Sequence, residues 1–74
     1  MSIADLDYHR WDAFGRNHEL VIETYSGLTL DAAVVGTDGV VYYNGSVNGE
    51  LSIALPAGLY IVVIDDYARR VVVR

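Results

Sequence analysis

The stretch Leu51–Ile64, LSIALPAGLYIVVI, decides the fold. Its first half alternates Leu51, Ile53 and Leu55 against Glu50, Ser52 and Ala54, the two-residue period of a half-buried strand. Pro56-Ala57-Gly58 then interrupts the ladder. Proline supplies no amide hydrogen and glycine allows a sharp bend. LYIVVID (59–65) follows, apolar on both faces, and reads as a central strand.

The pattern continues in both directions. Asp65-Asp66-Tyr67-Ala68 can turn, and RRVVVR (69–74) forms a last strand. Upstream, NGSVNG (44–49) holds two Asn-Gly steps, and both favour turns. VVYY (40–43) and LTLDAAVV (28–35) flank GTDG (36–39), a tight-turn signal in which Asp38 and Gly39 tolerate left-handed backbone. Leu28, Leu30, Ala32 and Val34 mark the inward face of that strand. Ser26-Gly27 is a turn, and LVIETY (20–25) is rich in β-branched and aromatic residues. Six strands with short links result. Such links cannot hold crossover helices, so the pairing is expected to be mostly antiparallel and the architecture an all-β, two-layer sandwich.

Residues 2–14 allow either a short helix or an extended arm. Ser2 would cap the helix with Asp5 at capping-box spacing, and Ile3, Leu6, Arg10 and Phe14 would share a face. Gly15 would end it. The expected organisation is one domain over 1–74, with 1–19 as arm or helix and 20–74 as sandwich.

Length and charge narrow the function. A chain of 74 residues holds one domain, and at this size only about 60–65% of the unfolded surface is buried. There is no cysteine, so stability rests on dense apolar packing, a partner, or both. Ten acidic against five basic side chains give a net charge of -5, which disfavours non-specific nucleic-acid binding. The longest uncharged stretch is too short and too broken for a membrane span. The start MSIADLDYHRWDAF lacks the basic and apolar regions of a signal peptide.

From about Leu28 to Arg74 the chain resembles the C-terminal sorting domain of cargo exported by the type IX secretion system of Bacteroidetes. Three segments carry the resemblance: AAVVGTDGVVYY with Asp38-Gly39, the core Leu55-Pro56-Ala57-Gly58-Leu59-Tyr60, and the terminal valine strand bracketed by Arg69-Arg70 and Arg74. The stretch HELVIETY (18–25) departs from it, lacking the Asn-Pro element with which such domains usually open.

The resemblance implies an immunoglobulin-like sandwich of about six strands that serves as a non-catalytic address for outer-membrane export machinery. Gly39, Pro56, Gly58 and Tyr60 would keep its shape. The strand with Arg69, Arg70 and Arg74 would lie nearest the recognised element. On this reading the chain is a piece of a larger secreted or cell-surface cargo protein. Two other readings stay open: a free-standing interaction module that dimerises through an edge strand or the aromatic arm, and a carbohydrate-binding surface module using Tyr8, Trp11, Phe14, Tyr42 and Tyr43.

Other residue clusters favour plain roles. Arg70 and Arg74 share strand parity while Arg69 faces the other way, and charge on an edge strand also blocks unwanted pairing. Asp31, Asp38, Asp65 and Asp66 lack the spacing of a calcium loop and read as solvated turn residues. His9 and His18 are nine residues apart without cysteine support, so no metal or other cofactor is expected. Ser2, Ser26, Ser46 and Ser52 lack a nucleophile-elbow setting, and no phosphate-gripping loop is present. The expectation is a protein that is not an enzyme.

Overall fold

The computed structural model describes residues 10–74. Seven strands follow in order: β1 (Trp11–Arg16), β2 (Glu19–Thr24), β3 (Thr29–Gly36), β4 (Val41–Asn48), β5 (Glu50–Ala54), β6 (Gly58–Ile64) and β7 (Tyr67–Val73). They form two packed antiparallel sheets, ordered β1-β2-β5 and β4-β3-β6-β7.

Three hairpins build the sheets locally, one in the three-stranded sheet and two in the four-stranded one. Asn17-His18 joins β1 to β2, with His18 at φ 59. Asp65-Asp66 joins β6 to β7, with Asp65 at φ 54. Thr37–Val40 joins β3 to β4, with Gly39 at φ 86. Asp38 holds that last turn by accepting from the Val40 amide at 3.1 Å. Three links then cross between the sheets: Ser26-Gly27 after β2, Gly49 between β4 and β5, and Leu55–Ala57 after β5.

Two expectations are corrected here. The segment around Trp11–Phe14 is strand β1, not helix, so the strands number seven and Gly15 lies inside a strand. The reason is long-range: Ala13 opposes Ile22 and Gly15 opposes Leu20, and this pairing outweighs a patchy helical stripe. The proposed cap at Ser2 and the rest of the helix or arm over 1–9 lie outside the described residues. Asn44-Gly45 is likewise no turn. It continues β4, with Asn44 opposite Ala33 and Gly45 opposite Ala32. Of the two Asn-Gly steps only the second breaks the strand, where Gly49 takes φ 88.

That break turns one nearly continuous chain, 41–54, from the four-stranded into the three-stranded sheet. Strands that change sheet at a bend make the corners of sandwiches. Thr24 holds this corner. Its amide donates to the Gly49 carbonyl at 2.7 Å, and its hydroxyl accepts from the Gly49 amide at 2.7 Å while donating to the Leu28 carbonyl at 2.8 Å.

The core lies between the sheets. Ala13, Leu20 and Ile22 face Leu30, Ala32, Val34, Val47, Tyr60, Val62, Ile64, Val71 and Val73. Val34, Val62 and Ile64 retain no exposed surface, and full burial of each such side chain stabilises the fold by about 1.5–3 kcal/mol. Leu28, Tyr43, Leu51 and Ile53 pack around this centre.

Candidate docking surfaces

The segment Leu55–Tyr60 forms the corner between the sheets. Leu55 is buried, and its amide donates to the His18 carbonyl at 3.0 Å. Tyr60 points inward, and its hydroxyl donates to the Pro56 carbonyl at 2.7 Å. A tyrosine that ties its hydroxyl to backbone a few residues upstream is the device that fixes a sandwich corner. The Tyr42 ring stands edge-on to it, centroids 5.4 Å apart at 84°. Tyr42 is the extra residue of a bulge, because Val34 opposes Tyr43 while Val35 opposes Val41. Burial, then the neighbouring Tyr42 and Asp38, raise the Tyr60 pKa above its ordinary 10.0. Gly58 needs no special backbone: its φ is not left-handed, and an added Cβ would meet the Tyr60 ring at an ordinary 3.7 Å.

The three terminal arginines do not form one patch. Arg69 shares the inward parity of Val71 and Val73 and reaches across the open side of the sandwich to β1. Its guanidinium donates to Asp12 at 2.6 Å and lies 4.4 Å from the centroid of the Trp11 ring. Arg70 faces outward with Val72, and Arg74 follows β7 with the same parity. Neither Arg70 nor Arg74 makes an ion pair among the described residues.

β7 is the edge strand of its sheet, yet β1 closes over part of that edge. The His18 amide donates to the Arg74 carbonyl at 2.7 Å. At Gly15 the two backbones come so close that a Cβ would sit 1.9 Å from the Val72 carbonyl oxygen. This approach is why residue 15 has no side chain. Sequence reasoning missed it, as it missed the Thr24 joint, because neither partner is near in the chain.

The outward face of the four-stranded sheet is apolar around β6 and polar along most of β4, where Asn44, Ser46 and Asn48 point outward. Val41, Val35 and Ile61 share one row with Arg70, Leu59 sits beside Val72, and Ala33, Val63 and Ala68 share another row. Val41 is 58% exposed, Val72 54% and Leu59 40%. β6 is thus central, as its composition suggests, but no described element covers its second apolar face. Asp31 and Asp65 close one end of this face, lining a shallow open depression with Asn44. Arg10 lies 3.6 Å from the Asp65 carboxylate.

The opposite outer face, on the three-stranded sheet, carries charge around an apolar centre, where Phe14 opposes Val21 and Val21 is fully buried. Asp12, Glu23 and Glu50 share one row, and Arg16 pairs with Glu19 at 3.1 Å. Trp11 is buried beneath Arg69, which removes the largest aromatic from any sugar-stacking surface. Burial, then the Asp12 and Glu23 carboxylates, raise the Tyr25 pKa. Among the described residues no three His, Cys, Asp or Glu side chains are grouped to hold a metal ion, and no helix is long and apolar enough to cross a membrane.

No protein-family model matches this chain, and no curated protein or solved structure is significantly similar to it.

Proposed function

We propose that this chain is a non-catalytic, immunoglobulin-like docking module of the sorting-domain kind, read by outer-membrane export machinery through its last strand. One observation carries the reading. β7 is anchored by Val71 and Val73 in the core while Arg70, Val72 and Arg74 point outward. A strand with a buried valine face and two arginines flanking Val72 on its exposed face presents fixed charge on a rigid base, suited to an acidic partner. The Tyr60–Pro56 bond supports the same reading, since it fixes the corner from which β6 and β7 run.

The test is export of a fusion. A reporter carrying this chain at its C-terminus is expressed in a Bacteroidetes host with the type IX system, and surface reporter is measured. Truncating residues 69–74 would strip Val71 and Val73 from the core, so substitution is the cleaner perturbation. The double substitution Arg70→Glu with Arg74→Glu is expected to abolish export while leaving the circular-dichroism spectrum intact. Undiminished export of that variant overturns the reading.

A protein-interaction module outside any export pathway is the second reading. It is favoured by the exposed apolar face of the four-stranded sheet.

A further inference from the structure

We propose that the outer face of the four-stranded sheet is a self-association surface on which a second copy of this chain packs face to face, the strands of the two copies running antiparallel across a two-fold axis. The inference goes beyond the export reading and stands or falls separately, because it concerns a different partner and a different measurement.

Area is the first argument. Four strands about 4.8 Å apart and some seven residues long present a face of roughly 19 by 22 Å. With side-chain relief this amounts to roughly 500–600 Å² per copy. Two copies then bury about 1,000–1,200 Å², the lower end of specific interfaces and the range of weak, reversible ones. The face is about a tenth of the 4760 Å² accessible surface, the share a partner ordinarily covers. Its centre (Val35, Ile61 and Val63, with Leu59, Val41 and Val72 around them) is uncharged apart from Arg70 on the edge strand. From an edge position the long arginine stem can lie on apolar surface while its head reaches solvent.

Charge sets the orientation. Asp31 and Asp65 sit at one end of the face, with Arg10 3.6 Å from the Asp65 carboxylate offsetting part of that charge. Arg74 lies at the other end, beyond Val72. Counting outward from Ile61 in steps of two residues, the Asp65 position lies two steps one way. Arg74 lies two steps the other way, on the neighbouring strand. An axis through the Ile61 row, perpendicular to the strands, lays the acidic end of each copy over the basic end of the other; it also brings the two Arg70 residues together at the β7 edge, where their heads must splay into solvent. Two-fold symmetry makes each such contact occur twice. Parallel stacking would set acid on acid and is disfavoured.

Sedimentation equilibrium of the full chain tests this over a wide concentration range. A monomer–dimer equilibrium is expected, with Kd on the order of tens of micromolar. Val41→Lys and Val72→Lys, both at exposed positions, are each expected to weaken it at least ten-fold with unchanged circular dichroism. Ser52→Lys on the opposite sheet is expected to leave it unchanged. Arg74→Glu and Asp65→Arg are each expected to weaken it by about two- to five-fold per contact, and the double variant to restore it. A chain that stays monomeric at every concentration overturns the proposal, as does equal loss of association in Ser52→Lys. A double variant no tighter than the singles overturns the antiparallel arrangement. Because Val41 lies on β4, away from β7, loss of dimer with retained export in Val41→Lys separates this inference from the export reading.

Discussion

Gly15→Ala probes the seam where β1 closes over β7. The new Cβ would lie 1.9 Å from the Val72 carbonyl oxygen, against the 3.4 Å or more of ordinary contact. Both atoms flanking the gap belong to backbone or to a rigid Cβ, so no rotamer change relieves it. The strands must part by about 1.5 Å, the difference between those distances. A rigid separation of that size would stretch the His18–Arg74 hydrogen bond from 2.7 Å to roughly 4 Å, beyond bonding range. Losing that bond costs about 1 kcal/mol, and strain of the overpacked kind adds about 1–3 kcal/mol. Alanine recovers about 0.4–1 kcal/mol by restricting the unfolded chain. The net expectation is a loss of about 2–3 kcal/mol. A domain of this size has only about 4–11 kcal/mol in all, so the effect is large. Urea unfolding followed by fluorescence is the assay, because the only tryptophan, Trp11, sits at this seam beneath Arg69. The urea midpoint should fall sharply, and the thermal midpoint by about 10–20 °C. Gly58→Ala is the matched comparison: its Cβ has room, so stability should hold or rise slightly. A Gly15→Ala protein within about 0.5 kcal/mol of the parent would refute the close approach.

Three further outcomes follow from the same geometry. Thr24→Val keeps the shape of the side chain but leaves the Gly49 amide and the Leu28 carbonyl without its hydroxyl; a loss of about 1–3 kcal/mol is expected in urea unfolding, with amide exchange at Gly49 the local readout. Arg69→Met keeps the alkyl stem while removing the half-exposed Asp12 pair and the cation over Trp11; the cost should be about 1 kcal/mol and should shrink with added salt. Tyr60 has a folded pKa raised above 10.0, so its contribution is complete below that pH and is lost as pH rises through the folded value. Ionisation also removes the proton donated to Pro56. Stability measured against pH should therefore fall on the alkaline side, and Tyr60→Phe should flatten that fall while lowering the neutral-pH thermal midpoint by a few degrees. Tyr25, raised in the same direction, adds to the alkaline loss that remains.

Local chemistry made much of the architecture legible from sequence alone. Alternation in LTLDAAVV and LSIAL assigned inward and outward residues of β3 and β5, because side chains on a strand alternate whatever the strand pairs with. Ser26-Gly27, Gly39 and the Pro56–Gly58 break marked links, because left-handed backbone and a missing amide are properties of the residues themselves. Tyr60 stood out for the same reason, being a large amphipathic ring just after a bend. The parity that separates Arg69 from Arg70 and Arg74 was equally readable.

Tertiary structure alone decided the rest. Whether 11–16 became helix or strand depended on β2 accepting it as a neighbour. Asn44-Gly45 was held straight by pairing with β3, which overrode its turn preference. Gly15, Thr24 and Arg69 each answer to an atom more than twenty residues away: the Val72 carbonyl, the Gly49 amide and the Asp12 carboxylate. The second apolar face of β6 is the sharpest case. Its composition is that of a strand buried on both sides, but with two layers among the described residues one side meets the core and the other meets whatever comes to it. Backbone preference and alternation act between near neighbours and can be read along the chain, whereas coverage of a face depends on how many layers the chain has left to supply.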